Sequence, residues 1–230
     1  MSRRSPHAGD DPHGDQPLVT GGASLSNAEA AIVLAHGRGA TAQSILQLGS
    51  QLAGEESVAL LAPQAAANTW YPNSFLSPVA ENEPGRRSGL AAIGRAVDQA
   101  LDAGLSTEQL LLGGFSQGAC LASEFVARNP ANYGGLAVFS GGLIGETIDV
   151  DDYVSDATEA GDDPAAPLAG TPAFLGCSDV DPHIPEARVH ETATVLDTLG
   201  ADVDTRIYEG MSHTINDDEI AAVSSLVSSL

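Results

Sequence analysis

The stretch from Gln109 to Val126 constrains the fold more than any other part of the sequence. An apolar run, Leu110-Leu111-Leu112-Gly113, leads into Gly114-Phe115-Ser116-Gln117-Gly118, and an apolar, helix-compatible segment follows from Ala119 to Val126. A serine with a glycine two places to either side, between a buried strand and a helix, predicts a sharp strand-turn-helix elbow. Glycines are required because nothing bulky fits where the helix crosses the strand, and the strained turn leaves the serine hydroxyl projecting at the strand's end. Ser116 is therefore expected to be a nucleophile.

The surrounding elements agree with such a turn. Short continuous apolar runs, Ala30 to Ala35 and Val58 to Ala62, read as strands buried on both faces. Leu110 to Gly114, Gly135 to Phe139, Pro172 to Gly176 and Val203 to Tyr208 continue the series, separated mostly by helical segments. One segment puts Val189, Ala193 and Leu196 on one face, and the last does the same with Ile220, Val223, Val227 and Leu230. This alternation predicts an α/β fold, a mainly parallel central sheet with helices on both faces. Functional groups then belong on loops leaving the carboxyl ends of strands. The length suits one domain, expected over 25–230. Residues 1–24, rich in Pro, Gly and Asp, read as a mobile arm that carries His7 and His13.

Two stretches interrupt the alternation. Gln64 to Ser88 holds Trp70-Tyr71-Pro72 and Phe75-Leu76, and about 141–170 is an acidic insertion rich in Gly, Ala and Pro, too long for a plain connection. Both are expected to wall or cover a site. Trp70, Tyr71 and Phe75 are the candidate substrate-binding residues, with packing against the sheet edge as the alternative.

Charge narrows the partners. The chain has 31 Asp and Glu against 9 basic residues, for a net charge of -22, and all nine are arginine. Acids run from Asp10 through Glu81, Asp98 and Asp204 to Glu219, so no acidic tail accounts for them. Their mutual repulsion opposes folding in dilute buffer, whereas at about 1 M salt the screening length falls to about 3 Å. That composition suggests a cytoplasmic, salt-adapted (halophilic) protein. Nucleic acid is not expected as a partner, because Arg3-Arg4 and Arg86-Arg87 are the only adjacent cations. Arg3-Arg4 is followed by Ser-Pro-His-Ala-Gly-Asp where an export signal would need an apolar stretch, and no run approaches the roughly 20 apolar residues of a membrane span. Cys120 and Cys177 read as small buried residues, and the sequence has neither a His-Glu-x-x-His motif nor a spaced Cys pair, so no metal and no cofactor is expected.

A serine hydroxyl needs a base, and the base needs an orienting carboxylate. After the strand ending at Gly176 comes Cys177-Ser178-Asp179-Val180-Asp181-Pro182-His183-Ile184-Pro185, and after Tyr208 comes Glu209-Gly210-Met211-Ser212-His213. The order Ser116, Asp181, His213 is the one an elbow of this kind uses. Asp179 lies on the same turn, but Pro182 restricts Asp181 to an extended backbone, which favours Asp181. His183 is the rival base, disfavoured because a histidine two positions from the orienting acid cannot readily be placed between that acid and Ser116. His190 reads as surface and His36 as a loop-fixing residue. An oxyanion hole needs backbone N–H donors. Gln117 supplies one, and the loop His36-Gly37-Arg38-Gly39 supplies a second at Arg38. The Arg38 side chain is expected in ion pairs with nearby acids, with attraction of an anionic substrate group as the alternative.

Taken in order, Ala35-His36-Gly37-Arg38-Gly39-Ala40, Thr69-Trp70-Tyr71-Pro72, Gly114-Phe115-Ser116-Gln117-Gly118, Asp181-Pro182-His183-Ile184-Pro185 and Gly210-Met211-Ser212-His213-Thr214-Ile215 resemble the phospholipase/carboxylesterase family of α/β hydrolases, a group that includes acyl-protein thioesterases. The resemblance runs from about Asp15 to the C-terminus. It implies the α/β-hydrolase fold, Ser116 as nucleophile, His213 as base and then acid, Asp181 as its orienter, and Arg38 and Gln117 as oxyanion donors. It also implies a small-molecule acyl ester substrate, or a thioester or lysophospholipid handled by the same site. A dienelactone-type hydrolase would be expected to carry cysteine at the elbow. A non-catalytic binding module on this scaffold would usually lack a member of the triad, and none is missing.

Overall fold

The computed structural model describes residues 9–54, 57–160 and 166–230. Its elements run β1 (Leu18–Gly22), β2 (Ala30–Ala35), α1 (Ala42–Ala53), β3 (Val58–Pro63), α2 (Gly85–Asp102), β4 (Leu110–Phe115), α3 (Gln117–Arg128), β5 (Gly135–Phe139), α4 (Val150–Ala160), β6 (Pro172–Ser178), α5 (Glu186–Thr198), β7 (Asp202–Tyr208) and α6 (Asp217–Val227). The seven strands form one sheet in the order β1-β3-β2-β4-β5-β6-β7. β1 pairs antiparallel with β3, and every other pair is parallel.

Strand alternation divides the core into two layers. Ala31, Val33 and Ala35 of β2 face the cluster built with α2, α3 and α5, whereas Ile32 and Leu34 face the one built with α1 and α6. All six β2 side chains are buried, which is why that strand reads as an unbroken apolar run. Helices on both faces and a mainly parallel sheet are as the sequence predicts. Among the described residues, no helix is long and apolar enough to cross a membrane.

The chain order reverses between β2 and β4, since β3 lies to one side of β2 and β4 to the other. At such a switch point the loops leaving two adjacent parallel strands diverge and open a crevice. Here those loops are His36–Gly39 and the elbow at Ser116.

The expected mobile arm is corrected for the part described. Leu18–Gly22 forms the edge strand β1, with Val19 paired to Ala62 and Gly21 to Leu60. His13 is buried, its Nε2 donating to the Trp70 carbonyl at 2.8 Å while Nδ1 accepts from Ala66 N at 3.0 Å. Glycines and polar neighbours hid a five-residue edge strand whose partner lies some forty positions downstream, and pairing of that range leaves no local pattern. Residues 1–8 of the arm, with Arg3-Arg4 and His7, and residues 161–165 of the acidic insertion lie outside the described residues.

Candidate active site

The turn between β4 and α3 is held in a conformation that most side chains avoid. Ser116 has φ 56° and ψ -120°, and its N–H donates to Phe139 O on β5 at 2.9 Å. A non-glycine residue held there costs on the order of 1–3 kcal/mol. The flanking glycines make the turn sterically possible. A Cβ on Gly114 would stand 2.6 Å from Ala35 O, and one on Gly118 would collide with Ala35 O and lie 2.6 Å from His36 O. Because α3 crosses β2 at this contact, no larger residue fits at Gly118.

Ser116 Oγ donates to His213 Nε2 at 2.9 Å, and His213 Nδ1 donates to Asp181 Oδ2 at 2.6 Å. The three side chains come from loops after β4, β6 and β7. Asp181 Oδ1 accepts from the N–H groups of His183 at 2.8 Å and Ile184 at 3.1 Å, which uses the second carboxylate oxygen and fixes the plane of the group. Burial works against the Asp181 charge, but the His213 ring and these two N–H groups outweigh it and hold the carboxyl below its ordinary range. Asp179, the other acid of the loop, accepts from Gly210 N at 2.7 Å and ties the Asp181 loop to the His213 loop. His183 does not stand between acid and serine. Its ring meets His213 edge-on with centroids 4.9 Å apart, and Phe115 packs on His213 at 4.8 Å.

The two oxyanion candidates lie side by side. A Cβ on Gly37 would be 3.6 Å from Ser116 Cβ, so the loop bearing Arg38 lies against the elbow. The described residues give the N–H groups of Arg38 and Gln117 no acceptor. Gln117 also opens α3, where the first N–H groups of a helix have no partner within it and favour negative charge.

His36 holds this loop, as the sequence suggests. Its Nδ1 donates to Gly37 O at 2.9 Å and its Nε2 accepts from Ala65 N at 3.1 Å, an arrangement that requires the neutral ring. Burial lowers its pKa accordingly.

Two expectations about side chains are overturned. Trp70, taken as a substrate-binding candidate, is fully buried and does not line the cavity above Ser116. Its indole N–H donates to His36 O at 2.8 Å, and its own N–H donates to Gln117 Oε1 at 3.0 Å, so it braces the loop and the elbow from below. Arg38 finds its partners in carbonyls, not acids: NH1 donates to Pro72 O at 3.0 Å and NH2 to Asn73 O at 2.6 Å. The Gln117 side chain completes the brace by donating to Tyr71 O at 2.9 Å, a role that the sequence did not reveal because its partners are backbone atoms some 46 positions away.

Tyr71 and Phe75 do line the cavity, which has a volume of about 520 Å³ and is also lined by Arg38, Phe115, Ser116, Gln117, His183, Ile184 and His213. Among its described residues, the acidic insertion contributes nothing to that lining. Its first part lies behind the wall instead, fastened to buried Glu124 of α3, whose Oε2 accepts from Ile144 N and Tyr153 Oη at 3.0 Å each. Burial opposes the Glu124 charge, but Arg86 and Arg128 overcome it and hold its pKa below the ordinary value. Cys120 and Cys177 are free, buried thiols, each pushed up to about 12 by burial and so unreactive.

A further buried acid supports the His213 loop. Asn216 caps α6 by accepting from Glu219 N at 2.9 Å, while Glu219 Oε2 accepts from Asn216 N at 2.8 Å. Glu219 is 0 % exposed, and among the described residues its Oε1 has no partner. Burial, aided by the neighbouring Asp218, pushes its carboxyl up from 4.5 to about 7. The folded state therefore holds a proton that the unfolded chain has released, and the stability tied to that proton is present below about pH 4.5 and lost as pH rises through about 7. Glu219→Gln keeps a capping acceptor without the charge. Its melting temperature should exceed that of the parent by several degrees at about pH 8, a difference on the order of 2 kcal/mol, and converge on it towards about pH 5. A gap that does not change with pH would mean that Glu219 is ionised throughout.

Residues 22–230 match the profile of the family described as Phospholipase/Carboxylesterase. Among solved structures, a phospholipase/carboxylesterase from Dyadobacter fermentans DSM 18053 is similar with a TM-score of 0.82 and 39% identity, covering 93% of this chain and 96% of that one. Acyl-protein thioesterase 2 of Zea mays shares the fold, with a TM-score of 0.72 and 18% identity over 93% of this chain and 98% of that one. In sequence, acyl-protein thioesterase 1 of Kluyveromyces lactis is 29% identical over 138 residues, 59% of this chain and 56% of that protein. The match thus spans little more than half the length of that curated relative.

Proposed function

Since the chain belongs to the phospholipase/carboxylesterase family of α/β hydrolases, we propose that it cleaves carboxylic esters of small molecules through an acyl-enzyme. The observation that carries this reading is the unbroken hydrogen-bonded chain from Asp181 through His213 to Ser116, opening into a cavity. Ser116 Oγ attacks the ester carbonyl as His213 Nε2 takes its proton, and Asp181 stabilises the imidazolium. The N–H groups of Arg38 and Gln117 receive the developing oxyanion, and Ser116 is already poised by the turn, so little rearrangement precedes attack. His213 then protonates the departing alkoxide. Water then attacks the acyl carbon as it gives a proton to His213 Nε2, and His213 returns that proton to Ser116 Oγ as the Oγ–acyl bond breaks and the acid leaves.

A thioester substrate is the second reading, favoured by the similarity to proteins named acyl-protein thioesterase. The same groups act on it, because only the leaving atom differs. Matched oxygen and sulfur esters of one acyl group decide between the two. The hydrolytic reading itself is tested with a fluorophosphonate probe, expected to leave one adduct, on Ser116. Reaction at another residue, or none, overturns it.

The setting belongs to the same proposal: β1 and residues 25–230 act as one hydrolase domain, in a cytoplasm rich in salt. The net charge of -22 supports it. Melting temperature should rise by several degrees between about 0.1 M and about 2 M potassium chloride as repulsion among the carboxylates is screened. Greatest stability in dilute buffer would contradict a salt adaptation.

A further inference from the structure

Arg188, on α5, neither lines the cavity nor touches the Ser116 chain, yet it is one of the most heavily engaged side chains of the molecule. It is buried, and its NH1 donates to Leu143 O at 2.9 Å and to Gly145 O at 2.8 Å. NH2 donates to Glu146 O at 3.2 Å, and Nε to Glu191 at 2.7 Å. One turn further along α5, Thr192 Oγ1 accepts from Leu143 N at 2.9 Å. The segment 143–146 is therefore gripped from α5 through three carbonyls and one N–H, and from α3 by Glu124 at Ile144 N.

That segment in turn holds a wall of the cavity. Gly145 N donates to Phe75 O at 2.8 Å, and the Arg188 guanidinium lies 5.7 Å from the centre of the Phe75 ring. Phe75 sits outside regular structure in a loop whose preceding residues are held by Arg38 and the buried side chain of Asn82, and it lines the cavity. The Phe75 carbonyl and ring thus meet groups that Arg188 holds or supplies. A guanidinium suits this task because its planar fork can serve several fixed carbonyls at once while its face or edge still meets an aromatic ring.

We propose that Arg188 is a positioning residue that sets the substrate's chain-length preference by fixing Phe75 as a rigid apolar wall of the cavity. The inference rests on the hydrolytic reading above. It applies to whichever apolar arm of the substrate, acyl or alcohol, lies against Phe75, and it makes the start of the acidic insertion a fixed backing.

The test uses two ester series, one varying the acyl chain from two to about eight carbons and one varying the alcohol over the same range. It is read as kcat/KM relative to the shortest member. In Arg188→Met the ratio for four- to six-carbon arms should fall about tenfold in at least one series, chiefly through KM, with the shortest ester changed less than about threefold. Arg188→Lys, which keeps a donor for the carbonyls, should restore part of the preference. Because Arg188 acts through Phe75, adding Arg188→Met to Phe75→Ala should leave the ratio of Phe75→Ala unchanged, the signature of a coupled pair. Additive effects in that cycle, or a uniform loss on every ester in both series, would overturn the inference and leave ester hydrolysis standing. No turnover of any ester by the parent protein would instead remove the hydrolytic reading, and this inference with it. If Arg188→Met fails to fold, the same cycle is run with Arg188→Lys.

Discussion

Ser116→Ala should leave a folded protein that no longer takes the fluorophosphonate label and whose ester turnover falls by about 10⁶-fold, the size of loss found when a serine nucleophile of this type is removed. The fold should survive because alanine keeps the Cβ that Ser116 already carries at φ 56° and loses only the hydroxyl. Among the described residues that hydroxyl bonds only to His213 Nε2, so its removal frees the base without leaving a buried donor. The binding cavity and the two oxyanion N–H groups remain, which is why a small residual rate over water is expected. Measurement of the mutant's melting curve beside its turnover separates loss of chemistry from loss of structure. A folded Ser116→Ala protein that still turns over esters at more than about a hundredth of the parent rate would place the nucleophile elsewhere.

The second large effect separates the two acids of one loop. Asp181 Oδ1 is already committed to the N–H groups of His183 and Ile184, and Oδ2 accepts from His213 Nδ1. In Asp181→Asn the amide oxygen has to stay with the two backbone donors, which turns the amide NH₂ towards His213. Nδ1 then becomes an acceptor, the ring proton moves to Nε2, and Nε2 can no longer take the proton of Ser116. Turnover should fall about 10⁴-fold with little change in stability, as expected when the base is held in the wrong tautomer. Asp179→Asn should cost at most about tenfold, because an amide oxygen can still accept from Gly210 N and keep the two loops joined. Kinetics of the two purified variants at one pH decide the matter, and the reverse ranking would assign the orienting role to Asp179.

Much of this arrangement is legible in the sequence because it is written in local patterns. Continuous apolar runs of five or six residues marked the parallel strands, since a strand covered on both faces has no polar side to show. Gly114 and Gly118 marked the elbow, since close backbone approach admits no other residue there. Ser116, Asp181 and His213 could be named because each follows the end of a strand, where a parallel sheet puts its loops, and because they come in the order that an elbow of this kind uses. The antiparallel edge strand β1 was missed, and His13 with it, because a short strand among glycines is defined by its partner β3 and not by its own composition.

Sequence by itself thus determined the layered α/β architecture and the strained serine turn, which follow from periodicity and steric need within a few positions, while the three residues that meet at the turn were legible from their order after strand ends and from the family resemblance. Tertiary structure alone decided which side chains face the cavity and which hold it up. Trp70 and Tyr71 are neighbours of similar chemistry, yet Trp70 is turned under the His36 loop while Tyr71 lines the cavity. Arg38 reaches two carbonyls across 34 and 35 positions, and Arg188 reaches three across more than 40. Arginine's residue type announces a charge and several donors, but the distant partners that these two reach are main-chain oxygens, which every residue carries. Only the folded path of the chain brings particular ones within about 3 Å, and hydrogen bonds are formed at that distance and nowhere else.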